Sequence, residues 1–257
     1  MHPAHRLAIT REISSVIADC ELTHVERTPI DLTRARAQHA AYERTIESLG
    51  WKVQRLPAAD DMPDSVFVED TAFVLDELAI ITRPGAESRR RETVAVSEVL
   101  RGYRPLVAIL SPATLDGGDI LTIGDRIFVG VGGRTNEPGV RQLRAMVKSL
   151  GYTVDAAEFR GCLHLKTAAT LVADDTVLVN PAWTDPAQFG ALRTLEVHPD
   201  EPFAANALRI DDSVVYPAEH PRTIERLEHA GLTIRPVAIG ELLRAEGSVT
   251  CLSLLVR

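Results

Sequence analysis

Apolar residues recur along the chain in short β-type runs, each followed by turn residues and then by a stretch with helical spacing. The runs cover residues 6–11, 78–84, 126–135, 176–181 and 213–223. Their spacing is irregular, which indicates a repeated unit with loops of different length inserted between copies. The pattern therefore predicts five strand–helix units.

Amphipathic helices are predicted after several of these runs, at residues 88–100, 136–150 and 222–230. In the second stretch, Asn136 is the predicted N-cap and Gly151 the predicted end of the helix. No Ser/Gly linker, low-complexity tract or charge run divides the chain. We therefore expect a single closed, pseudo-symmetric α/β domain that spans residues 1–257.

Composition narrows the function classes. The chain has 28 basic and 36 acidic residues, with a net charge of −8, which argues against a nucleic-acid partner and suits a small cationic one. No stretch approaches the roughly 18 consecutive apolar residues of a membrane span, and the first residues lack the apolar region of a signal peptide. Three scattered cysteines do not make a disulfide framework. We expect a reduced, cytoplasmic protein with a candidate working thiol.

Three carboxylates surround an apolar segment at residues 63–70, which we interpret as a strand. They belong to Asp64, Glu69 and Asp70. Carboxylates accept paired hydrogen bonds from a guanidinium, so the segment could form the wall of a cation pocket. A solvated cluster at a strand end explains the same pattern, and the spacing leaves both interpretations open.

Three further features carry candidate chemistry, and each also has an ordinary structural explanation. In residues 115–119, two glycines between carboxylates permit unusual backbone angles and a close approach to a ligand, but also form common turns. His164 lies on an alternating apolar–polar run, where a half-buried structural histidine is the commoner case. Cys251 follows a glycine-bearing turn and is either a small core residue or an exposed nucleophile.

Six motifs occur together in one order: PDSVFVED, ITRPGAESRR, LDGGD, GGRTN, LHLK and TCLS. In this order they resemble the dimethylarginine dimethylaminohydrolase family, from about Leu22 to the C-terminus. That family belongs to the guanidine-modifying superfamily, whose fold is a five-bladed α/β propeller (pentein) of ββαβ units. The five units predicted from the apolar runs agree with this fold.

The resemblance also implies a role for individual residues, and neither a metal nor an organic cofactor. Cys251 would be the nucleophile, His164 the general acid/base, and Asp116 the carboxylate that orients His164 and holds a substrate nitrogen. Some bacterial relatives have Glu where this chain has Asp116. The implied substrate-binding residues are Asp64 and Asp70 at the guanidinium, Glu69 at the α-amino end, Arg89 and Arg134 at the α-carboxylate, Leu22 in a closing N-terminal loop, and Ala245 through its carbonyl.

The function implied by the resemblance is hydrolysis of Nω-methylated arginines to citrulline and an amine through a thiouronium on Cys251. Either a nearby His⁺ or the cationic substrate could favour the thiolate. Alternatives are a compact arginine deiminase, an amidinotransferase, and a non-catalytic binding protein with the same fold. The first two are usually larger proteins, and a binding protein would not need the Cys, His, acid and arginine motifs together. The oligomeric state stays open, with a homodimer as one candidate.

Overall fold

The computed structural model describes residues 6–257, so residues 1–5 of the predicted domain lie outside the described part. The described residues form five three-stranded sheets. In every sheet one pair of strands is antiparallel and the other is parallel, with a helical crossover inside the parallel pair. This arrangement is the predicted ββαβ unit, and it confirms the five-unit α/β propeller.

Each sheet has an inner, a middle and an outer strand. The inner strands are β3 (Ala72–Val74), β6 (Ile120–Ile123), β9 (Ala169–Ala173), β12 (Leu208–Ile210) and β15 (Leu254–Val256). The middle strands are β1 (Leu7–Arg11), β4 (Ala79–Ile81), β7 (Arg126–Gly130), β10 (Thr176–Val179) and β13 (Ser213–Pro217). The outer strands are β2 (Lys52–Leu56), β5 (Leu106–Ala108), β8 (Thr153–Ala157), β11 (Arg193–Glu196) and β14 (Thr233–Val237).

Helices connect the middle strands to the outer strands on the outside of the ring. They are α1 (Leu32–Ser48), α2 (Thr93–Leu100), α3 (Glu137–Val147) and α5 (Pro221–His229), with a 3-10 turn at Pro186–Phe189 in the fourth unit. Two short helices, α4 (Leu165–Ala168) and α6 (Gly240–Leu243), precede β9 and β15. None of the helices within residues 6–257 combines the length and apolar character that a membrane span requires.

The predicted helices are largely confirmed. The Asn136 side chain accepts a hydrogen bond from the Gly139 N–H at 3.0 Å at the start of α3, and Gly151 has the left-handed φ of 93° typical of a helix end. The prediction for residues 88–100 holds for α2 only, because Glu87–Glu92 is a 3-10 helix.

The strand predicted through residues 63–70 is wrong. Residues 63–66 form turns and Val68–Thr71 forms a 3-10 helix. Residues 64–70 are all buried, whereas the side chains of a strand would point to alternate faces.

The first and last of the described strands pair in one sheet, which closes the ring. Strand β15 pairs antiparallel with β1, with Leu7 opposite Val256. Because each inner strand is antiparallel to its middle strand, the chain enters every inner strand at the end of the propeller where it leaves the middle strand. Ten chain segments therefore converge on one end of the ring.

Packing between neighbouring units holds these segments in place. For example, Leu7 and Ile9 of β1 pack with Leu254 of β15 and with Val96 and Leu100 of α2 in one buried cluster. Full burial of a Leu, Ile or Val side chain stabilises the fold by about 1.5–3 kcal/mol. The polar loops at the end of the ring are thus anchored on apolar strands at both sides.

Candidate active site

The candidate catalytic residues lie in the segments that enter the inner strands. Asp70 precedes β3, Asp116 precedes β6, His164 precedes β9 and Cys251 precedes β15. The fifth such segment, before β12, contributes Asn206. The pseudo-symmetry of the ring therefore brings together, around one axis, side chains that are far apart in the sequence.

Asp70, Asp116 and His164 form a buried cluster in which one polar atom of each lies within 4.8 Å of the others. The imidazole Nε2 lies 3.1 Å from Asp116 Oδ2 and 3.9 Å from Asp70 Oδ1. The other oxygen of Asp116 accepts the Gly85 N–H at 2.8 Å, and Asp70 Oδ1 accepts the Gly118 N–H at 2.9 Å. Backbone donors thus fix both carboxylates against the imidazole.

The electrostatics of this cluster favour a charged imidazole. Burial disfavours the charge on His164, but the carboxylates of Asp70, Asp119 and Asp116 outweigh it and raise its pKa to about 9. Burial acts in the opposite direction on Asp70, yet His164 and Arg89 hold the pKa of this carboxyl well below its ordinary value. At neutral pH, His164 is therefore an imidazolium that can donate a proton.

The two glycines of the 115–119 motif are required by close approach and not by an unusual backbone angle. Neither Gly117 nor Gly118 has a positive φ. A Cβ atom at Gly118 would lie 2.6 Å from His164 Nδ1, and one at Gly117 would lie 1.9 Å from the carbonyl oxygen of Glu69. Any side chain at these positions would displace the imidazole or the chain that carries Asp70.

The thiol of Cys251 lies at the same end of the ring in a tight turn. Its Sγ accepts the Ser248 N–H at 3.4 Å, and its carbonyl oxygen accepts the Glu69 N–H at 3.2 Å. Burial, followed by the negative charges of Glu69 and Asp70, raises the pKa of the thiol to about 12. Within residues 6–257, no hydrogen bond joins Sγ to His164, so the two groups do not form a preset ion pair.

Two arginines were predicted to bind a substrate carboxylate, and their surroundings differ. Arg89 is buried and donates to Asp70 at 2.7 Å, to Glu92 at 2.9 Å and to the Phe67 carbonyl at 3.0 Å. Arg134 is half-buried, and its buried Nη1 has no hydrogen-bond partner among the described residues. Of the two, Arg134 is the better placed to take an anionic group, whereas Arg89 supports Asp70. Carboxylate binding by either stays a prediction.

The comparisons with known proteins point to one family. The arginine deiminase family model matches residues 40–201. The chain is 44% identical over 252 residues to an N(G),N(G)-dimethylarginine dimethylaminohydrolase of Streptomyces coelicolor, with 97% of this chain and 96% of that protein covered. The chain belongs to the dimethylarginine dimethylaminohydrolase family.

Solved structures of dimethylarginine dimethylaminohydrolases show the same fold. A cysteine-to-serine variant of the Pseudomonas aeruginosa enzyme, in complex with citrulline, matches with a TM-score of 0.93 and 32% identity, covering 98% of this chain and 100% of that one. A histidine-to-glycine variant, in an adduct with S-methyl-L-thiocitrulline, matches with a TM-score of 0.92 and 31% identity, covering 98% and 99% of the two chains.

In this dimethylarginine dimethylaminohydrolase family member, Glu69 is occupied by contacts within the protein. Lys166 Nζ donates to one carboxylate oxygen at 2.6 Å, and the Thr250 hydroxyl donates to the other at 2.6 Å. Thr250 directly precedes Cys251, so Glu69 fixes the turn of the thiol. Glu69 and Lys166 also line an axial cavity of about 710 Å³ between the inner strands. The predicted contact of Glu69 with a substrate amino group stays a prediction.

The segment that carries Leu22 packs near the Cys251 thiol and is held there by hydrogen bonds. Leu22 packs in the same apolar cluster as Cys251 and Ala245. The Glu21 N–H lies 3.2 Å from each oxygen of Asp64, and Glu246 accepts the N–H groups of Thr23 and His24 at 2.6 and 3.0 Å. The structure thus brings together three predicted substrate-binding residues, Leu22, Asp64 and Ala245, although their roles stay predictions.

Proposed function

We propose that this chain hydrolyses Nω,Nω-dimethyl-L-arginine and Nω-monomethyl-L-arginine to L-citrulline and dimethylamine or methylamine. The observation that carries the proposal is the buried Asp70–Asp116–His164 cluster at the same end of the ring as the Cys251 thiol. The complex of a Pseudomonas aeruginosa family member with citrulline supports it.

The acidic cluster suits a guanidinium cation. The carboxylates of Asp70 and Asp116 can accept its N–H groups, with Asp64 as a third acceptor once its contact with the Glu21 N–H opens. Arg134 Nη1 would take the α-carboxylate at the other end of the substrate. Two fixed ends orient the guanidinium carbon toward Sγ, and such positioning can lower the barrier by several kcal/mol.

The raised thiol pKa indicates that substrate itself favours the thiolate. Burial, and then the negative charges of Glu69 and Asp70, raise the thiol pKa and hold the proton on sulfur in the free protein. A bound guanidinium cation offsets those negative charges. The sequence left two sources of activation open. The missing hydrogen bond between Sγ and His164 within the described residues favours the cationic substrate.

The reaction then needs only groups of this chain and water, once the proton of the Cys251 thiol has passed to solvent on substrate binding. The thiolate forms a bond to the guanidinium carbon, the bond from that carbon to the methylated nitrogen breaks, and the His164 imidazolium gives its proton to the departing amine. A thiouronium remains on Cys251. The neutral imidazole takes a proton from water, and the resulting hydroxide attacks the same carbon. The C–S bond then breaks as the proton of the added hydroxyl passes to solvent, which releases neutral citrulline and the thiolate.

We expect the pH dependence of thiol alkylation to depend on the charge of the reagent. Alkylation of Cys251 by neutral iodoacetamide should keep rising to the highest pH tested, because the pKa of the free thiol is about 12. Cationic 2-chloroacetamidine lowers the pKa of the thiol when it binds. Its alkylation rate, measured by mass spectrometry, should therefore level off at a pH at least about one unit below the thiol pKa of the free protein. A plateau near pH 7 with iodoacetamide would contradict substrate-assisted activation.

Replacement of Arg134 by methionine tests the proposed carboxylate contact. We expect Arg134→Met to raise KM by about 10- to 100-fold, since a charge-assisted hydrogen bond is lost, and to change kcat only a few-fold. The matched control is Arg141→Met, which removes an exposed arginine on α3 and should leave both constants unchanged. An unchanged KM in Arg134→Met would contradict the contact.

A second candidate substrate is unmethylated arginine, because the arginine deiminase family model matches residues 40–201. The same thiol, imidazolium and carboxylates would serve that reaction, with ammonia as the departing amine. The homodimer, as one candidate for the oligomeric state, the absence of a nucleic-acid partner and the cytoplasmic location stay predictions from the sequence.

A further inference from the structure

Asp119 is a buried carboxylate that no role described above requires. It is the last residue of the 115–119 motif and has no exposed surface. One oxygen accepts the Leu165 N–H at 3.0 Å, and the other accepts the hydroxyl of Thr135 at 2.6 Å. The same hydroxyl oxygen accepts the Asp116 N–H at 3.1 Å, and Thr135 is also fully buried.

These contacts join the two residues that share the catalytic hydrogen bond. Leu165 is the neighbour of His164 in the segment that enters β9, whereas Asp116 lies in the segment that enters β6. Asp119 lies in the second segment itself, where its N–H donates to the Asp116 carbonyl oxygen at 3.1 Å. Its side chain holds the first segment directly and also supports the Asp116 N–H through Thr135, which follows β7. The two segments belong to different units of the ring, so this bridge sets how far Asp116 lies from the imidazole.

A charged carboxylate at the fully buried position of Asp119 lowers the stability of the fold, which indicates that its charge has a function. Removal of a carboxylate from water is costly, and its hydrogen bonds offset that cost only in part. Burial raises the pKa of Asp119 to about 7, against the opposing effects of His164 and of the Thr135 hydroxyl. When it is ionised, Asp119 adds a third negative charge, beside those of Asp70 and Asp116, that favours the His164 imidazolium.

We propose that Asp119 and Thr135 are positioning residues for the hydrolysis. They hold Asp116 and His164 at hydrogen-bond distance and keep the imidazole protonated. This inference rests on the proposed function. Neither residue contacts the reacting atoms. Their effect is on the geometry and charge of the two residues that do.

Thr135→Val is the direct test, because valine has nearly the shape of threonine but neither donates nor accepts. We expect kcat to fall by about 10- to 100-fold, because a displacement of about 1 Å in a catalytic group costs about that much, while KM stays within about threefold. The alkaline limit of kcat/KM, which reports the protonated imidazole, should move to lower pH. Thr135→Ser keeps the hydroxyl and should restore all three.

Asp119→Asn separates charge from shape. Its side-chain oxygen can still accept the Leu165 N–H, but the negative charge near His164 is lost. We expect the pKa of His164, followed by NMR of its imidazole C–H, to fall by at least about half a unit. This readout does not depend on turnover. It therefore stays informative if wild-type protein releases no citrulline, which would count against the proposed function alone.

Thr122→Val is the matched control. Thr122 is a threonine on β6 whose hydroxyl is buried without a hydrogen-bond partner among the described residues, so its replacement removes no bond. It should leave kcat and the His164 pKa unchanged. A Thr135→Val protein with a lower melting temperature but wild-type kcat and His164 pKa would overturn the proposal, because it would show a structural role alone.

Discussion

Replacement of Cys251 by serine should reduce citrulline formation by at least about 10⁴-fold, while substrate affinity stays within a few-fold of the wild-type value. A guanidinium is a poor electrophile because its charge is shared by three nitrogens, and a serine hydroxyl is too weak a nucleophile to attack it. The carboxylates and Arg134 that bind the substrate are unchanged, and a serine hydroxyl can still accept the Ser248 N–H that Sγ accepts in the wild type. Citrulline assay and calorimetric titration measure the two effects separately.

Cys162→Ser is the control for this variant. Cys162 is a buried thiol in the same half of the chain, two residues before His164, and its Sγ donates to the His164 carbonyl oxygen at 3.5 Å. Its replacement should leave turnover within about twofold to threefold of wild type. Full activity in Cys251→Ser, or loss of activity in Cys162→Ser alone, would contradict the assignment of the nucleophile.

Loss of the imidazole should have the second-largest effect. We expect His164→Gln to lower turnover of dimethylarginine by about 10³-fold or more, because protonation of the amine and activation of water both fail. S-methyl-L-thiocitrulline separates the two steps, since its methanethiol leaving group does not need a proton from His164. The variant should therefore still form the covalent adduct on Cys251 and accumulate it, as intact-protein mass spectrometry would show.

His229→Gln serves as the control, because it changes an exposed histidine at the end of α5, which is remote from the ring axis. It should turn over both compounds as the wild type does. Rapid hydrolysis of the adduct by His164→Gln would contradict a role for His164 in activating water.

The middle strands and the helices α2, α3 and α5 could be predicted from the sequence, whereas the inner strands β3 and β15 and helix α1 could not. All five apolar runs coincide with middle strands, since these strands are buried on both faces and read as continuous apolar segments. The inner strands β3 and β15 have three residues each, too few to show a period. Helix α1 was not predicted, because its buried face mixes Tyr42 and Ile46 with Gln38, His39 and Glu43.

The site could be predicted as a set of residues but not as a geometry. The motifs named Asp116, His164 and Cys251, whereas the contacts that position them come from other segments of the ring. Thr135 and Glu246 had no signal of their own, because each acts through a hydrogen bond to a residue distant in the sequence. Asp119 had a signal, as the second carboxylate of its motif, but its partners Thr135 and Leu165 become evident only in the fold.

Citrulline release from Nω,Nω-dimethylarginine, Nω-monomethylarginine and arginine, measured in parallel with Cys251→Ser as the blank, tests the proposed function most directly. We expect turnover of both methylated substrates, with arginine much slower and the blank inactive. Arginine as the preferred substrate would instead indicate a compact deiminase. Absence of citrulline from all three would contradict hydrolysis of arginine derivatives by this site.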